Sequence, residues 1–403
     1  MKNWHSTRRI GVVGAGAMGQ GIAQIFASHE WEVCLVDSSE SALHKAQENH
    51  KYSLYKFAEK SQISEVEIER FLSRIHYTDD LKSLKTADIV VEAIVEDYEA
   101  KKLLFNTLES IVSEECLLAT NTSSFTITGL ASACKHSERF IGIHFFNPVT
   151  RMPLVEIIPA LQTDTNWIPQ IESVLHQMGK VPVVCQDTPG FLVNRIARPF
   201  YGEAIRIWEE GLASMDTIDF VMKEQGGFKM GPFELMDFIG HDVNFRVTES
   251  VYESLFYNPK YMPSITQKKL FLAGHYGRKS GIGFRQYPSN TLHPGLKNQD
   301  EENKARGKYE KEPQILFERI LFMLINEAAD AFYYKLGSKE AIDLAMMKGA
   351  NYPMGLLKWA DQLDLKTVVE TLDNYQNFYR DGRYKVSPIR REMRITGEKF
   401  YAE

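Results

Sequence analysis

No CxxC pair and no metal-ligand spacing occur in this chain, and its four cysteines, Cys34, Cys116, Cys134 and Cys185, stand apart in or beside apolar stretches. A disulfide scaffold and a thiolate metal site are therefore set aside, and buried free thiols in a reducing compartment are expected. No basic stripe runs through the sequence, whose formal net charge is −6, so the electrostatic footprint of a nucleic-acid binder is missing. No apolar run approaches the ~18–20 residues of a membrane span. The opening MKNWHSTRR leads directly into a strand and leaves no room for a signal-peptide core. The expectation is a cytoplasmic protein with no metal, no nucleic-acid partner and no membrane segment.

What the chain does have is size and pattern. With 403 residues, 44% hydrophobic and 25% charged, it can build two or three cores. From Ile10, short apolar runs alternate with helical segments: IGVVG (10–14) reads as a strand, Met18 to Ser28 as a helix and EVCLVD (32–37) as a second strand. DIVVEAI (88–94), CLLATN (116–121), FIGIHFF (140–146) and LVEII (154–158) continue the strands, so a mostly parallel sheet flanked by helices is expected over residues 1–187. Long helical patterns follow from residue 188, where Pro189 suits a first helical turn.

This helical part repeats itself. Arg195 to Gly274 lies over Arg319 to Gly397 with an offset of 124 along most of its length, matching Glu203 with Glu327, Asp219 with Asp343, Gly231 with Gly355 and Asp237 with Asp361. Two helical copies are thus expected, over 188–287 and 314–403. Between them, 288–313 is rich in Asn, Glu, Lys, Gly and Pro without apolar periodicity and reads as a solvated linker.

GAGAMG (Gly14, Ala15, Gly16, Ala17, Met18, Gly19) follows a strand and opens a helix, and Asp37 closes the next strand. A lone GxGxxG is weak, but strand, helix and acid together make a dinucleotide fingerprint. Gly14 permits a tight turn, Gly16 lets backbone approach a pyrophosphate, and Gly19 lets helix and strand pack, while amides at the helix start face the anion. Asp37 would accept from the adenosine ribose and repel a 2′-phosphate, which favours NAD over NADP.

His144 and Glu156 stand twelve residues apart within GIHFFNPVTRMPLVEII. A histidine in an apolar strand is by itself most often a satisfied core residue, and Glu156 alone would equally suit a solvated strand carboxylate. Beside a nicotinamide site their meaning changes: a neutral imidazole accepts a proton near operating pH, and a carboxylate on its other nitrogen fixes the tautomer. That pair is the minimum equipment for oxidising an alcohol.

At these residues the sequence resembles the L-3-hydroxyacyl-CoA dehydrogenase family, through GAGAMGQGIAQ, VVEAIVE, NTSS, HFFNPV with LVEII, DTPGFLVNR, MGPFELMD and GRKSGIGF, from Arg9 to about Tyr287 and again in the second helical copy. The resemblance implies an α/β fold, a Rossmann-like NAD-binding domain followed by all-α C-terminal domains, and NAD-dependent oxidation of the 3-hydroxyl of an acyl-CoA substrate. It implies His144 as general base and Glu156 as its orienting partner, with Ser123 and Asn194 near the hydroxyl and thioester. Glu96, Lys101, Ser123, Asn147 and Lys279 would line the cofactor; without the resemblance both lysines would equally read as surface charges. Ser53 and Lys60 fall where the family contacts the CoA nucleotide.

The chain departs from the family at PVTRMPLVE, with Arg151 and Pro153 between base and carboxylate, and at Lys229 before MG. The duplicated helical part is similar to 3-hydroxyadipyl-CoA dehydrogenases of phenylacetate degradation, and a 3-hydroxybutyryl-CoA enzyme is the near alternative. Arg151 could meet a terminal carboxylate, although a surface arginine is the plainer reading. Simple family members dimerise through the helical domain, so a homodimer or an intrachain pseudo-dimer about a pseudo-two-fold axis is expected. Two rivals are a β-hydroxyacid dehydrogenase of the 6-phosphogluconate type, which uses a catalytic lysine, and a non-catalytic NAD-binding protein of the same fold.

Overall fold

A computed structural model describes residues 8–61, 64–287 and 311–401. The contacts divide the chain into two units, Met1–Phe191 and Leu192–Glu403. Unit one is an eight-stranded sheet, β1 (Arg9–Val13), β2 (Glu32–Val36), β3 (Ile75–Thr78), β4 (Ile89–Glu92), β5 (Leu117–Thr120), β6 (Phe140–Phe145), β7 (Leu154–Pro159) and β8 (Val181–Val184), in the order β3-β2-β1-β4-β5-β6-β7-β8. The first six strands are parallel; β7 runs antiparallel to β6, and β8 parallel to β7.

The central strands are near-continuous Val, Ile and Leu because helices cover both faces. Helix α1 (Ala17–Ser28) buries Gly19, Ile22, Ala23, Phe26 and Ala27 on one stripe. Each large side chain so buried contributes about 1.5–3 kcal/mol. The strand order reverses between β1 and β4, and in such sheets the crevice beyond the carboxyl ends of the strands at this point receives ligands.

Three local expectations need correction. The run DIVVEAI ends as a strand at Glu92, because the Glu92 carboxylate takes the Ile94 amide at 2.8 Å and turns the chain. β3 and β8 were not singled out in the sequence: one is a four-residue strand with only Ile75 buried, and the other carries Pro182. Pro189 does not open a helix, since Gly190 and Phe191 have φ of 77° and 49°; the helix starts at Val193.

Unit two carries both helical copies, and each residue matched in the repeat has a structural task. Asp219 accepts from the amides of Phe233 and Glu234 at 2.9 and 3.0 Å, and Asp343 does the same for Leu357 and Lys358 at 2.8 and 3.0 Å. Both bind free amides at a helix start. The preceding Gly231 and Gly355 leave room for them, since a Cβ at either would stand within 2.5 Å of the aspartate side chain. Asp237 takes the amides of Phe284 and Arg285, and Asp361 those of Phe400 and Tyr401.

The copies face each other through reciprocal pairs. Arg195 Nε reaches Glu327 at 3.0 Å, and its repeat mate Arg319 reaches Glu203 at 3.1 Å; Tyr261 of the first copy donates to Glu327, and Tyr384 of the second donates to Glu203. Residue i meets j while the mate of i meets the mate of j, the self-complementarity of an isologous interface. Phe228 and Tyr352, also mates, meet edge to face at 5.0 Å. The expected linker at 288–313 lies outside the described residues except for 311–313, where Pro313 already opens the helix Pro313–Tyr333. Among the described residues no helix is long and apolar enough to cross a membrane, no acid–His–Cys group could hold a metal, and the four cysteines form no disulfide.

Burial raises the Glu203 carboxyl, but the guanidinium groups of Arg206 and Arg319 outweigh it and hold the group at about 2; Glu327 is lowered likewise, against burial, by Lys260 and Arg195. A depressed folded-state value gives stability that is complete above the unfolded value of about 4.5 and is lost as pH falls toward 2. Glu203→Gln leaves Arg319 partly unpaired and should cost about 3–5 kcal/mol at pH 7. Urea denaturation should show this gap narrowing as pH falls from about 5 to about 2.5; a gap constant with pH would refute the assignment.

Candidate active site

The glycine turn after β1 has the shape its sequence requires. Gly14 has φ 106°, and a Cβ there would lie 2.4 Å from the Ala93 carbonyl oxygen. A Cβ on Gly19 would lie 1.7 Å from the Gly14 carbonyl oxygen, so α1 touches the turn directly. Gly16 differs: nothing stands within 4 Å of its Cβ position. It is the N-cap of α1 and supplies no side-chain cap, leaving the start of the helix open to an anion. These features fit a dinucleotide pyrophosphate.

Asp37 is half-buried and anchored from two sides, accepting from the Ala15 amide at 2.7 Å and the Ser39 amide at 2.8 Å. The Ala15 N–H is thus committed to Asp37, while Ala17 and Met18 form the first turn of α1. Each Asp37 oxygen keeps a lone pair for a ribose hydroxyl.

Glu96 and Lys101 meet, but around a residue the sequence reading missed. Glu92, fully buried at the end of β4, takes Lys101 Nζ at 2.5 Å, Thr120 Oγ1 at 2.6 Å and the Ile94 amide. Lys101 Nζ also lies 3.1 Å from Glu96, which accepts from Thr122 Oγ1 at 2.5 Å and from the Ser123 amide at 3.2 Å. Lys101 is therefore neither a surface charge nor an open contact: it is 1% exposed and spent on two carboxylates. The available signal was Glu92 itself, a charge inside the apolar run VVE, where burial demands a partner.

His144 and Glu156 are directly opposite in the antiparallel β6–β7 register, and His144 Nδ1 lies 2.7 Å from Glu156 Oε2. His144 is 6% exposed and Glu156 0%. With the carboxylate ionised, Nδ1 carries the proton and donates it, leaving Nε2 as the nitrogen able to take another. Phe146 and Phe191 flank the imidazole at ring distances of 4.6 and 5.7 Å. Asn121 Oδ1 accepts the Phe145 amide at 2.8 Å, tying the loop after β5 to the strand that carries His144.

Asn147, three residues beyond His144, is exposed, as is Arg151. The segment between His144 and Glu156 is gripped by Lys180, a buried lysine whose Nζ donates to the carbonyls of Val149 at 2.5 Å and Met152 at 2.8 Å. Burial lowers its affinity for the proton. Asp187 of DTPGFLVNR takes the amides of Ile127 and Thr128 at 2.9 and 2.7 Å, fixing the short helix Ile127–Ala131 that follows Ser123. Lys180 gave no sequence signal.

Ser53 lies on the helix Glu40–Ser61 with its hydroxyl on the His50 carbonyl at 3.0 Å; Lys60 is on the same helix, and its side chain lies outside the described residues. Asn194 and Lys279 belong to unit two. The Asn194 carbonyl accepts from the buried Arg198 at 2.7 Å, and Lys279 pairs with Asp242 at 2.5 Å. The structure thus joins His144 with Glu156 on β6 and β7, and Glu96 with Lys101 and Ser123 beyond the carboxyl ends of β4 and β5.

Comparison with known proteins gives the same architecture. A family model described as 3-hydroxyacyl-CoA dehydrogenase, NAD binding domain, matches residues 9–188; the corresponding C-terminal domain matches 190–287 and 316–401. The chain is 32% identical to a 3-hydroxyadipyl-CoA dehydrogenase of Escherichia coli, over 97% of this chain and 98% of that protein. It is 40% identical to the mitochondrial hydroxyacyl-coenzyme A dehydrogenase of Sus scrofa, over 70% and 91%. A crystal structure of a 3-hydroxybutyryl-CoA dehydrogenase from Escherichia coli superposes with TM-score 0.89 at 32% identity, covering 97% of this chain and 99% of that one.

Gly16→Val tests the cradle. The Cβ position is open and φ is −70°, so the fold should lose no more than about 1 kcal/mol. NAD affinity, read by fluorescence titration, should fall at least about tenfold; unchanged affinity would remove this turn from cofactor binding.

Proposed function

The chain belongs to the 3-hydroxyacyl-CoA dehydrogenase family, and on that footing we propose that it interconverts L-3-hydroxyacyl-CoA and 3-oxoacyl-CoA with His144 as the base. The observation that carries this reading is the buried 2.7 Å bond between His144 Nδ1 and Glu156. It leaves Nε2 free to accept and fixes the ring for proton transfer. Bound NAD supplies the hydride acceptor. His144 Nε2 takes the 3-hydroxyl proton as the C3 hydrogen departs with its electron pair, and Glu156 stabilises the imidazolium so formed. In the reverse direction the same nitrogen returns the proton.

Gly14, Gly16, Gly19 and Asp37 hold the dinucleotide in this reading, and Asn147 and Lys279 line it. Ser123, its amide set by Glu96, and Asn194 steady the substrate oxygens. Lys101 acts through Glu96, since its ammonium is taken up by two carboxylates. Ser53 and Lys60 would meet the CoA nucleotide. The reciprocal contacts in unit two support the view that the second helical copy stands where a partner subunit would stand in a dimer, and the protein would work in the cytoplasm.

Two acyl groups have specific support, a 3-hydroxyadipyl chain and a 3-hydroxybutyryl chain, each being the substrate named for a protein that this chain matches over 97% of its length. Exposed Arg151, between base and carboxylate, is the candidate for meeting a terminal carboxylate.

His144→Gln should lower kcat by at least about 10²-fold with NAD affinity nearly intact; near-normal turnover would remove His144 from the base role. Comparing kcat/KM for the two acyl-CoA substrates separates the acyl readings. If the six-carbon diacid is preferred and Arg151 meets its carboxylate, Arg151→Ala should reduce that preference by about tenfold, equal to about 1.4 kcal/mol. A strong preference for the four-carbon substrate, unaltered in the variant, would end the diacid reading.

A further inference from the structure

The second helical copy departs from the first around Asp361. In the first copy the segment from Gly277 to Gly283 closes over Asp237 so tightly that a Cβ on either glycine would lie within 2.2 Å of an Asp237 oxygen. His241 adds a 2.9 Å bond to the same carboxylate. Phe400 and Tyr401 bind Asp361 as Phe284 and Arg285 bind Asp237, and Gly274 matches Gly397. Nine residues therefore separate the matched glycine and phenylalanine in the first copy, and two in the second. The covering loop is gone, and Leu365 stands in place of His241. A cavity of about 280 Å³ opens beside Asp361, bordered by Arg390 and Gly397.

Its walls have changed charge. By the same alignment, Lys366 replaces Asp242, Arg390 replaces Gln267, Arg394 replaces Phe271 and Lys399 replaces Tyr276, and all four replacements line the cavity. Two acids are gained as well, Asp364 and Glu398; Asp364 is turned to the Thr367 amide and hydroxyl at the start of its helix. Arg394 is shared with Glu370 at 2.9 Å.

Arg390 is the decisive group. It is 2% exposed, and its Nε and Nη2 have no hydrogen-bond partner among the described residues. Its counterpart Gln267 is satisfied by the Asn244 side chain at 2.6 Å, but Asn244 is matched by Val368, whose side chain has no acceptor. Both Asp361 oxygens already hold backbone amides at 2.9 and 2.8 Å. Burial pulls the guanidinium down to about 10, against the attraction of Asp361. A buried charge retained without a partner calls for an anion, and a planar guanidinium matches an oxyanion with two parallel bonds.

We propose that this cavity in the second copy binds a phosphate group, held by the Arg390 fork with Lys366 and Lys399 at its rim. The site is separate from the chemistry assigned to His144 and does not depend on it. The phosphate could be free inorganic phosphate or the 3′-phosphate of an adenine nucleotide, which present the same oxygens.

The test uses the full chain and thermal shift with isothermal titration, adding inorganic phosphate or adenosine 3′-phosphate against sodium chloride of equal ionic strength. Wild type and Gly16→Val should both show a saturable rise in Tm with phosphate. Arg390→Leu should lose it, and Lys399→Ala, which keeps the buried side chain and the fold, should weaken binding about tenfold. Tighter binding of adenosine 3′-phosphate, lost in the same variants, assigns the nucleotide; equal affinity assigns free phosphate. No rise beyond the chloride control, or a rise that Lys399→Ala and Arg390→Leu both retain, overturns the proposal and leaves an adventitious ion only. His144→Gln should bind phosphate like wild type, so failure here and failure of the catalytic assignment are read independently.

Discussion

β7 enters the sheet against the direction of the six strands before it, and that reversal fixes where His144 and Glu156 stand. In a parallel sheet the chain would have to cross over before pairing again, and the first residues of the new strand would lie at the edge opposite the nucleotide turn. Because β7 turns straight back, its opening residues sit beside the closing residues of β6, and Glu156 faces His144 in register. Both strands are buried on both faces, so the apolar pattern alone does not set this register. A slip of one residue would turn His144 and Glu156 to opposite faces and part them. Lys180 holds the short return segment by two carbonyls, and Asn121 ties β6 to its neighbour.

Buried charge is handled in the same way in both units. Glu92 is closed in by a lysine, a threonine hydroxyl and an amide, and Glu203 by two arginines and a tyrosine. Removing a carboxylate from water is expensive, and only several donors at good geometry offset the cost. Such clusters contribute little net stability over a well-packed apolar core. What they do is exclude other arrangements, since a displaced helix or loop would strand an ion. In unit one this precision reaches Glu96 and Ser123; in unit two it aligns the two helical copies.

Much of this was legible in the residues. The glycine turn and Asp37 are local in sequence; a Cβ on Gly14 or Gly19 would strike backbone, and Gly16 leaves its Cβ position open. The offset repeat was visible because Asp219 and Asp343, with their facing glycines, each solve the same capping problem. What was not legible depends on contacts far apart in the chain. Glu92 meets Thr120 across 28 residues, Lys180 meets Val149 across 31, and Glu203 meets Tyr384 across 181. Spacing says nothing of these, and a lysine destined for burial looks like any other. Pro189 misled for a related reason: its fixed φ suits a helix start, but the two residues after it adopt left-handed backbone that ends the possibility.

The reciprocal arginine–glutamate contacts have one more consequence. A symmetric assembly of identical chains must accept every substitution twice, once on each side of its axis, so neither side can change without the other. Here the two sides are separate stretches of one polypeptide, and cohesion between them does not depend on how concentrated the protein is. Tandem fusion therefore frees one half to drift while the other stays under constraint, which is how the shortened stretch beside Asp361 could arise without disturbing the loop that still covers Asp237.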